Sequence, residues 1–363
     1  MKYFIVTYGC QMNVSDSEKI AALLKKQGHE PVKADSPAEA LAKAGLIMLN
    51  ACSVRQSAID RIYGQVQKFP DKKILIAGCL LDYDKKRLAA HKNVSIWQPD
   101  DYFDLPPIHQ DKLCAYVPIM TGCNNFCSYC VVPFTRGREK SRPTKEIINE
   151  IKSLIKNAYK EIILVGQNVN SYKSQITNYK LQTAKSVPDG SRTNSRTQNT
   201  KNQIINFAKL LKMIDSLPGN FRLNFLTSHP KDMSDELIKT MARCQKLIKD
   251  THLPIQSGDN QILKKMNRRY TVAHYKNLIK KIRRAIPDVK ISTDIIVGFP
   301  GETKKQFQNT VKLCKQIQFD KAYIAKYSPR PGTAAAKLKD DIPAAEKTRR
   351  WQLLDTLINK FTH

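Results

Sequence analysis

Residues 115–130 read AYVPIMTGCNNFCSYC. The opening run, Ala115 to Ile119, is short and mostly apolar, which is strand material. Gly122 then leads into a segment carrying Cys123, Cys127 and Cys130 at CxxxCxxC spacing. Working outward, further short apolar runs fall at 161–165, 221–226, 250–255, 289–297 and 321–327. Helical patterns separate them, as in Ile147, Ile148, Ile151, Leu154 and Ile155. Six strand–helix units predict a full or partial α/β barrel, whose active residues collect at the carboxyl ends of its strands.

Upstream, residues 1–110 repeat the alternation on a smaller scale. Tyr3–Thr7, Leu46–Leu49 and Ile74–Ala77 read as strands, and 57–68 as a helix. Ser15-Asp16-Ser17-Glu18 has capping-box spacing ahead of Ile20, Leu23 and Leu24, which predicts a helix start there. The expected fold class is therefore α/β: an N-terminal parallel-sheet domain, then the barrel. Gln98-Pro99-Asp100-Asp101 and Leu105-Pro106-Pro107 read as a linker. The expected domains are 1–110, 115–340, and a C-terminal helical segment 341–363 bearing Trp351, Leu353, Leu354 and Leu357. Residues 173–203 are polar and poor in apolar side chains, and read as an exposed, mobile insertion.

The chain of 363 residues is long enough for two or three cores. No apolar stretch is long enough for a membrane span, and the first ten residues read as a buried strand and not as a signal peptide. A cytoplasmic protein is expected. Sixty-one Lys and Arg against 32 Asp and Glu give a net charge of +29, which suits nucleic acid as a partner, or simply solubility. Nine cysteines in a reducing compartment point to metal ligation or catalysis and not to a disulfide framework.

Thiolates are the usual ligands of iron–sulfur clusters. Three of them on a 4Fe-4S cluster leave one iron open, and an open iron can chelate the amino and carboxylate groups of S-adenosylmethionine (SAM). A zinc site is the competing reading of Cys123, Cys127 and Cys130, but structural zinc takes four ligands and no histidine lies nearby in sequence. Cys10, Cys52 and Cys79 form a second pattern, each just beyond a predicted strand. In an open parallel sheet those strand ends share one edge, so the three thiols converge there or are separate buried cysteines. Cys314 falls on the apolar stripe Phe307, Val311, Cys314, Ile317 and reads as core; Cys114 and Cys244 match neither pattern.

Taken together these stretches resemble the methylthiotransferase family of radical SAM enzymes. Within it they look most like the tRNA-2-methylthio-N(6)-dimethylallyladenosine synthases, the MiaB proteins. The matching segments are TYGCQMNVSDSE (7–18), NACSVRQSA (50–58), AGC (77–79) and GCNNFCSYCVVPFTRGREKSRP (122–143). They continue with LVGQNVNSY (164–172), HLPIQSG (252–258), ISTDIIVGFPGET (291–303) and YSPRPGTAA (327–335). The resemblance implies two 4Fe-4S clusters, an auxiliary one on Cys10, Cys52 and Cys79 and a radical one on Cys123, Cys127 and Cys130. It implies SAM used twice, once to methylate a sulfur of the auxiliary cluster and once as source of a deoxyadenosyl radical. That radical takes hydrogen from the 2-position of an adenosine beside the anticodon, where the methylated sulfur then joins. The family usually ends in a small β-barrel RNA-binding domain of about 60 residues; no counterpart is expected in these 363 residues, the chain being either truncated or of a branch that manages without it.

The implied partners are tRNA, through its anticodon stem-loop, and an electron donor such as flavodoxin or ferredoxin, with the enzyme a monomer. The same chemistry on threonylcarbamoyl-adenosine or on a ribosomal protein is the alternative substrate reading. A non-catalytic RNA-binding metal protein is the alternative class. Tyr129 is expected to pack on the cofactor adenine or in the core. Gly166, Gln167 and Asn168 end a predicted strand and are expected to line the cofactor pocket or to form a polar turn. Gly298 and Gly301 suit a cofactor loop or a tight turn before a helix. Ten basic residues between Lys264 and Lys290, Arg268 among them, suit a phosphate-tracking surface or a solvated helix face.

Overall fold

The computed structural model describes residues 1–54, 56–97, 106–176 and 203–360. Most of the expected linker and most of the expected insertion lie outside the described residues.

The N-terminal half is one parallel sheet. Its strands are β1 (Lys2–Thr7), β2 (Glu30–Pro31), β3 (Leu46–Cys52), β4 (Lys73–Cys79) and β5 (Val94–Ile96), in the order β2-β1-β3-β4-β5. Helices α1 (Gln11–Lys26), α2 (Pro37–Lys43), α3 (Gln56–Lys68) and α4 (Asp82–Ala89) make the crossovers. Alternate side chains of a strand face opposite ways, so one strand feeds two cores. Ile47 and Leu49 pack with Ile59, Ile62 and Val66 of α3, whereas Leu46 and Met48 pack with Ile20 and Leu24 of α1. The central strand β3 is accordingly buried along its whole length.

Helix α1 starts one turn earlier than the capping-box spacing predicts. Cys10 is its N-cap, in extended conformation, and Ser15, Ser17 and Glu18 are buried within it. These residues do not cap; they form a polar seam. Ser17 bonds Thr7 at 2.7 Å and accepts from Asn50 at 2.9 Å. Glu18 accepts from the Gln110 backbone N–H at 3.1 Å and meets His109 at 2.9 Å, tying the connecting segment back to the first half. A capping box and a buried polar seam share one composition, and only tertiary context separates them.

The second half contains β6 (Cys114–Pro118), β7 (Met120–Thr121), β8 (Lys140–Ser141), β9 (Glu161–Val165), β10 (Lys173–Ile176), β11 (Gln203–Asn206), β12 (Arg222–Phe225), β13 (Asp250–His252), β14 (Lys290–Val297) and β15 (Lys321–Lys326). Its helices are α5 (Val132–Thr135), α6 (Thr144–Lys156), α7 (Phe207–Asp215), α8 (Asp235–Arg243), α9 (Asn260–Lys265), α10 (Val272–Ala285), α11 (Lys304–Ile317) and α12 (Ala344–Ile358). Two parallel sheets, β6-β9-β12 and β13-β14-β15, are joined by a parallel bridge between Leu223 and Leu247, just ahead of β13. The result is an arc of six parallel strands in chain order. Among the described residues β6 and β15 do not pair, so the partial form of the expected barrel is observed.

Strand β14 alternates strictly, with Ile291, Thr293, Ile295 and Val297 buried. Helix α12 sets Leu354 and Ile358 into the same core, and α11 contributes Cys314 to it as its apolar stripe predicts. The Thr303–Gln306 capping box ahead of α11 is present. The described ends of the expected insertion differ from a loop: β10 and β11 pair antiparallel, with Lys173 opposite Asn206. Polar strand ends of this kind carry no period that distinguishes them from loop. Among the described residues no helix is long and apolar enough to cross a membrane.

Candidate functional site

Each half of the chain presents three cysteines at or beyond the carboxyl ends of its strands. In the first half, Cys52 and Cys79 stand opposite one another across β3 and β4. Cys10 follows the adjacent strand β1 and caps α1. The edge beneath them is built by two buried asparagines. Asn13 donates to Asn50 Oδ1 at 2.9 Å and to the Ala51 carbonyl at 3.0 Å; Asn50 donates to the Asn13 carbonyl at 2.7 Å. Asn13 Oδ1 also accepts from the Cys10 backbone N–H at 3.3 Å. This packing explains the glycine before Cys79. Gly78 has φ of +98°, and a Cβ there would run into the Ala51 carbonyl and Asn50.

Burial pushes the Cys79 thiol up to about 12; Arg136 opposes this, while Cys52 and Cys10 lie near enough to reinforce it. Arg136 comes from the second half, at the end of α5. Its Nε donates to Cys79 Sγ at 2.7 Å, and its Nη2 to Asp16 at 2.6 Å. Arg330, also from the second half, is buried, donates to Gln56 and lies within the electrostatic reach of Cys52.

The loop after β6 holds Cys123, Cys127 and Cys130. Its path is unusual: Gly122 and Phe126 both have positive φ, +76° and +48°. The strained turn at Phe126 is held by Asn267, which donates to its carbonyl at 2.8 Å. Ser128 bonds the Lys265 and Met266 carbonyls, and the Ala335 N–H donates to the Ser128 carbonyl at 2.7 Å. Burial pushes Cys130 up to about 12, with Cys127 and Cys123 adding in the same direction. Arg268 is buried beneath this loop. It donates to the Pro254 carbonyl at 2.7 Å and to Tyr270 at 2.7 Å, and approaches Cys127 Sγ at 3.5 Å.

Just past the carboxyl ends of β9 and β12 lies a set of buried polar atoms without hydrogen-bond partners. They are Gln167 Oε1, Asn168 Oδ1, Asn170 Oδ1, Ser228 Oγ and His229 Nε2. Buried polar atoms are seldom left unpaired in a finished structure, so their concentration at the carboxyl ends of two strands marks a ligand position. The strand ends are themselves laced together. Thr227, at φ +70°, donates to the Gly166 carbonyl at 2.7 Å, and Val169 N–H donates to the Thr227 carbonyl.

Comparison with known proteins fits this layout. Residues 117–314 match the family model described as the radical SAM superfamily, and 2–98 match "Uncharacterized protein family UPF0004". The chain is 39% identical over 398 residues to the tRNA-2-methylthio-N(6)-dimethylallyladenosine synthase of Clostridium novyi, covering 99% of this chain and 81% of that protein. The chain belongs to the radical SAM methylthiotransferases. A synthase of the same name from Thermoanaerobacter is also 39% identical, over 99% of this chain and 78% of its own length. Among solved structures, the radical SAM methyltransferase TsrM from Kitasatospora setae shares the fold. The TM-score is 0.57 at 12% identity, over 92% of this chain and 75% of that one.

The cofactors of a methylthiotransferase of this kind are SAM and two 4Fe-4S clusters. The chemistry of the donors suits them: two groups of three thiols, each within mutual electrostatic influence and each approached by an arginine, although among the described residues no three His, Cys, Asp or Glu side chains stand close enough together to hold a single metal ion.

Other candidates fall as follows. Gly166 is buried, and a Cβ there would meet Met120 at 2.6 Å. Gln167 Oε1 and Asn168 Oδ1 are among the unpaired buried atoms. Tyr129 packs in an apolar cluster with Ile262, Met266 and Phe299. Gly298 and Gly301 have φ of +68° and +72°, and their N–H groups donate to Glu302 at 2.8 Å and to Asp341 at 2.7 Å. The basic run needs one correction: Arg268 is not on a phosphate-facing surface but buried under the cysteine loop. Its charge is tolerated there because carbonyl, phenol and sulfur surround it. Cys244 lies in the core and Cys114 is half-buried at the foot of β6. Sequence reading missed Arg136, Arg268, Arg330, Ser228 and His229 as site residues. The available signal was their place beside the cysteine loop or just past a strand end.

Proposed function

We propose that this chain is a tRNA methylthiotransferase that adds a methylthio group to the 2-position of N(6)-dimethylallyladenosine beside the anticodon. Near-full-length identity to synthases of that name carries the reading, and the two thiol groups supply its chemistry. Cys10, Cys52 and Cys79 hold the auxiliary cluster in an N-terminal domain, 1–110. Cys123, Cys127 and Cys130 hold the radical cluster in a second domain, 115–340, with helix α12 packed on it. When bound, the two clusters supply the electron that cleaves SAM and the sulfur that is transferred.

The protein's own part is binding, orientation and exclusion of water. Six thiols must lose their protons to bind iron, and burial holds Cys79 and Cys130 protonated until metal arrives, so loading releases protons. Arg268 stabilises charge on the Cys127 sulfur from the dry side of its loop. Gln167, Asn168 and Asn170 offer acceptors to the adenosyl and aminoacyl groups of SAM. His229 Nδ1 accepts from the Lys231 N–H at 3.2 Å, so the ring proton sits on Nε2 and serves as a fixed donor in the same pocket.

The charge of +29 supports tRNA as the substrate macromolecule, engaged through its anticodon stem-loop. A small electron carrier such as flavodoxin or ferredoxin completes the system, and the enzyme works as a cytoplasmic monomer. The test is anaerobic reconstitution, then assay on tRNA already bearing the dimethylallyl group. Mass spectrometry of the nucleosides should show the methylthio product. A fully loaded enzyme that leaves this nucleoside unchanged, while cleaving SAM, would refute the substrate assignment.

A further inference from the structure

Arg136 belongs to the second half by sequence and to the first cysteine group by contact. Its guanidinium reaches two groups of the N-terminal half: Nε meets Cys79 Sγ of β4 at 2.7 Å and Nη2 meets Asp16 of α1 at 2.6 Å. The side chains of Arg136 and Asp16 are 9% and 7% exposed, so both are withdrawn from water. A planar guanidinium whose Nη2 is held by a carboxylate cannot rotate its Nε–H freely. Asp16 therefore aims the Nε–H at sulfur. The helix that carries Asp16 is itself capped by Cys10, another member of the group.

We infer that Arg136 is a positioning residue of the auxiliary cluster, whose hydrogen bond to the Cys79 sulfur raises that cluster's reduction potential and seats it against the radical half. The inference rests on the reading that Cys79 is a ligand of that cluster. Reduction adds negative charge that spreads onto the ligand sulfurs. A donor and a positive charge on one of those sulfurs favour the reduced form, and hydrogen bonds to sulfur are among the main controls of cluster potential. The arrangement also makes the potential depend on closure of the two halves, because the donor arrives from the other half. A merely structural ion pair between Arg136 and Asp16 would leave the potential unmoved.

The test uses the full chain with Cys127→Ala, so that only the auxiliary cluster loads, and follows its midpoint by paramagnetic resonance during a redox titration. Arg136→Gln, which removes the charge and reshapes the donor, should lower the midpoint. Arg136→Lys keeps the charge but not the fork, and should fall between Gln and the parent. Equal midpoints in all three, at equal iron content, would overturn the inference. If Arg136→Gln does not fold or load, the Lys variant decides alone: a midpoint at the parent value overturns, a lowered one supports. A Cys127→Ala parent that binds no iron instead of about four per chain would defeat the ligand reading of Cys10, Cys52 and Cys79.

Discussion

Replacing Asn50 by alanine should destabilise the first half selectively. The residue is fully buried between β3 and α1 and makes three hydrogen bonds, two donated and one accepted. Its partners are not left bare: Asn13 Nδ2 keeps the Ala51 carbonyl, and Ser17 keeps Thr7. The loss is therefore that of three net hydrogen bonds, at about 1 kcal/mol each, and not of three orphaned groups. A total of about 2–4 kcal/mol follows. The two tryptophans allow this to be read by half. Trp97 packs on the core that contains Ile20 and Met48, while Trp351 packs on the barrel core and donates to the Ile324 carbonyl. Urea unfolding of Trp97→Phe and Trp351→Phe chains, with and without Asn50→Ala, separates the two transitions. The expected shift appears only where Trp97 remains. A loss below about 1 kcal/mol, or an equal shift in both reporters, would refute the claim that the asparagine pair is what holds the cysteine edge together.

Gly78→Ala faces both a positive φ and a collision with β3, and should cost at least about 2 kcal/mol in the same Trp97 assay. His229, under the charges of Arg268 and Lys231 and edge-on to Tyr270, is held down to about 2, mainly by burial. The unfolded chain therefore takes up the proton first, so this residue's stabilisation is complete above the usual histidine range and is lost as pH falls through it. The slope is at most about 1.4 kcal/mol per pH unit, and His229→Gln should flatten that acidic limb in thermal melts at pH 4–7. Affinity for tRNA should drop steeply with added salt, and charge reversal at the exposed Lys280 and Arg284 should make the drop shallower. A salt-independent affinity would remove the helix α10 surface as the contact.

The strands were legible because burial on both faces leaves an unmistakable mark: LIML in β3 and ILIA in β4 read as nothing else. The six candidate cysteines were legible for two reasons: Cys10, Cys52 and Cys79 each sit where an apolar run stops, and Cys123, Cys127 and Cys130 show CxxxCxxC spacing. The residues around them were not. Asp16 and Glu18 have the composition of a helix cap, and Arg268 sits among nine other basic residues that are exposed or half-exposed. Charged side chains show no periodicity that separates a solvated position from a buried, paired one. Their roles come from contacts spanning long sequence distances, such as Arg136 to Asp16 across 120 positions.

The paired ends of β10 and β11 have a practical consequence. The backbone departs beside Ile176 and comes back beside Gln203, its register partner. Whatever is spliced between those two points leaves from and returns to a single anchorage, so its length need not be transmitted to the strands that carry the chemistry. That makes this hairpin the natural port for an affinity handle or fluorescent reporter, and equally a place where kin of this enzyme can gain or shed residues without retuning the catalyst.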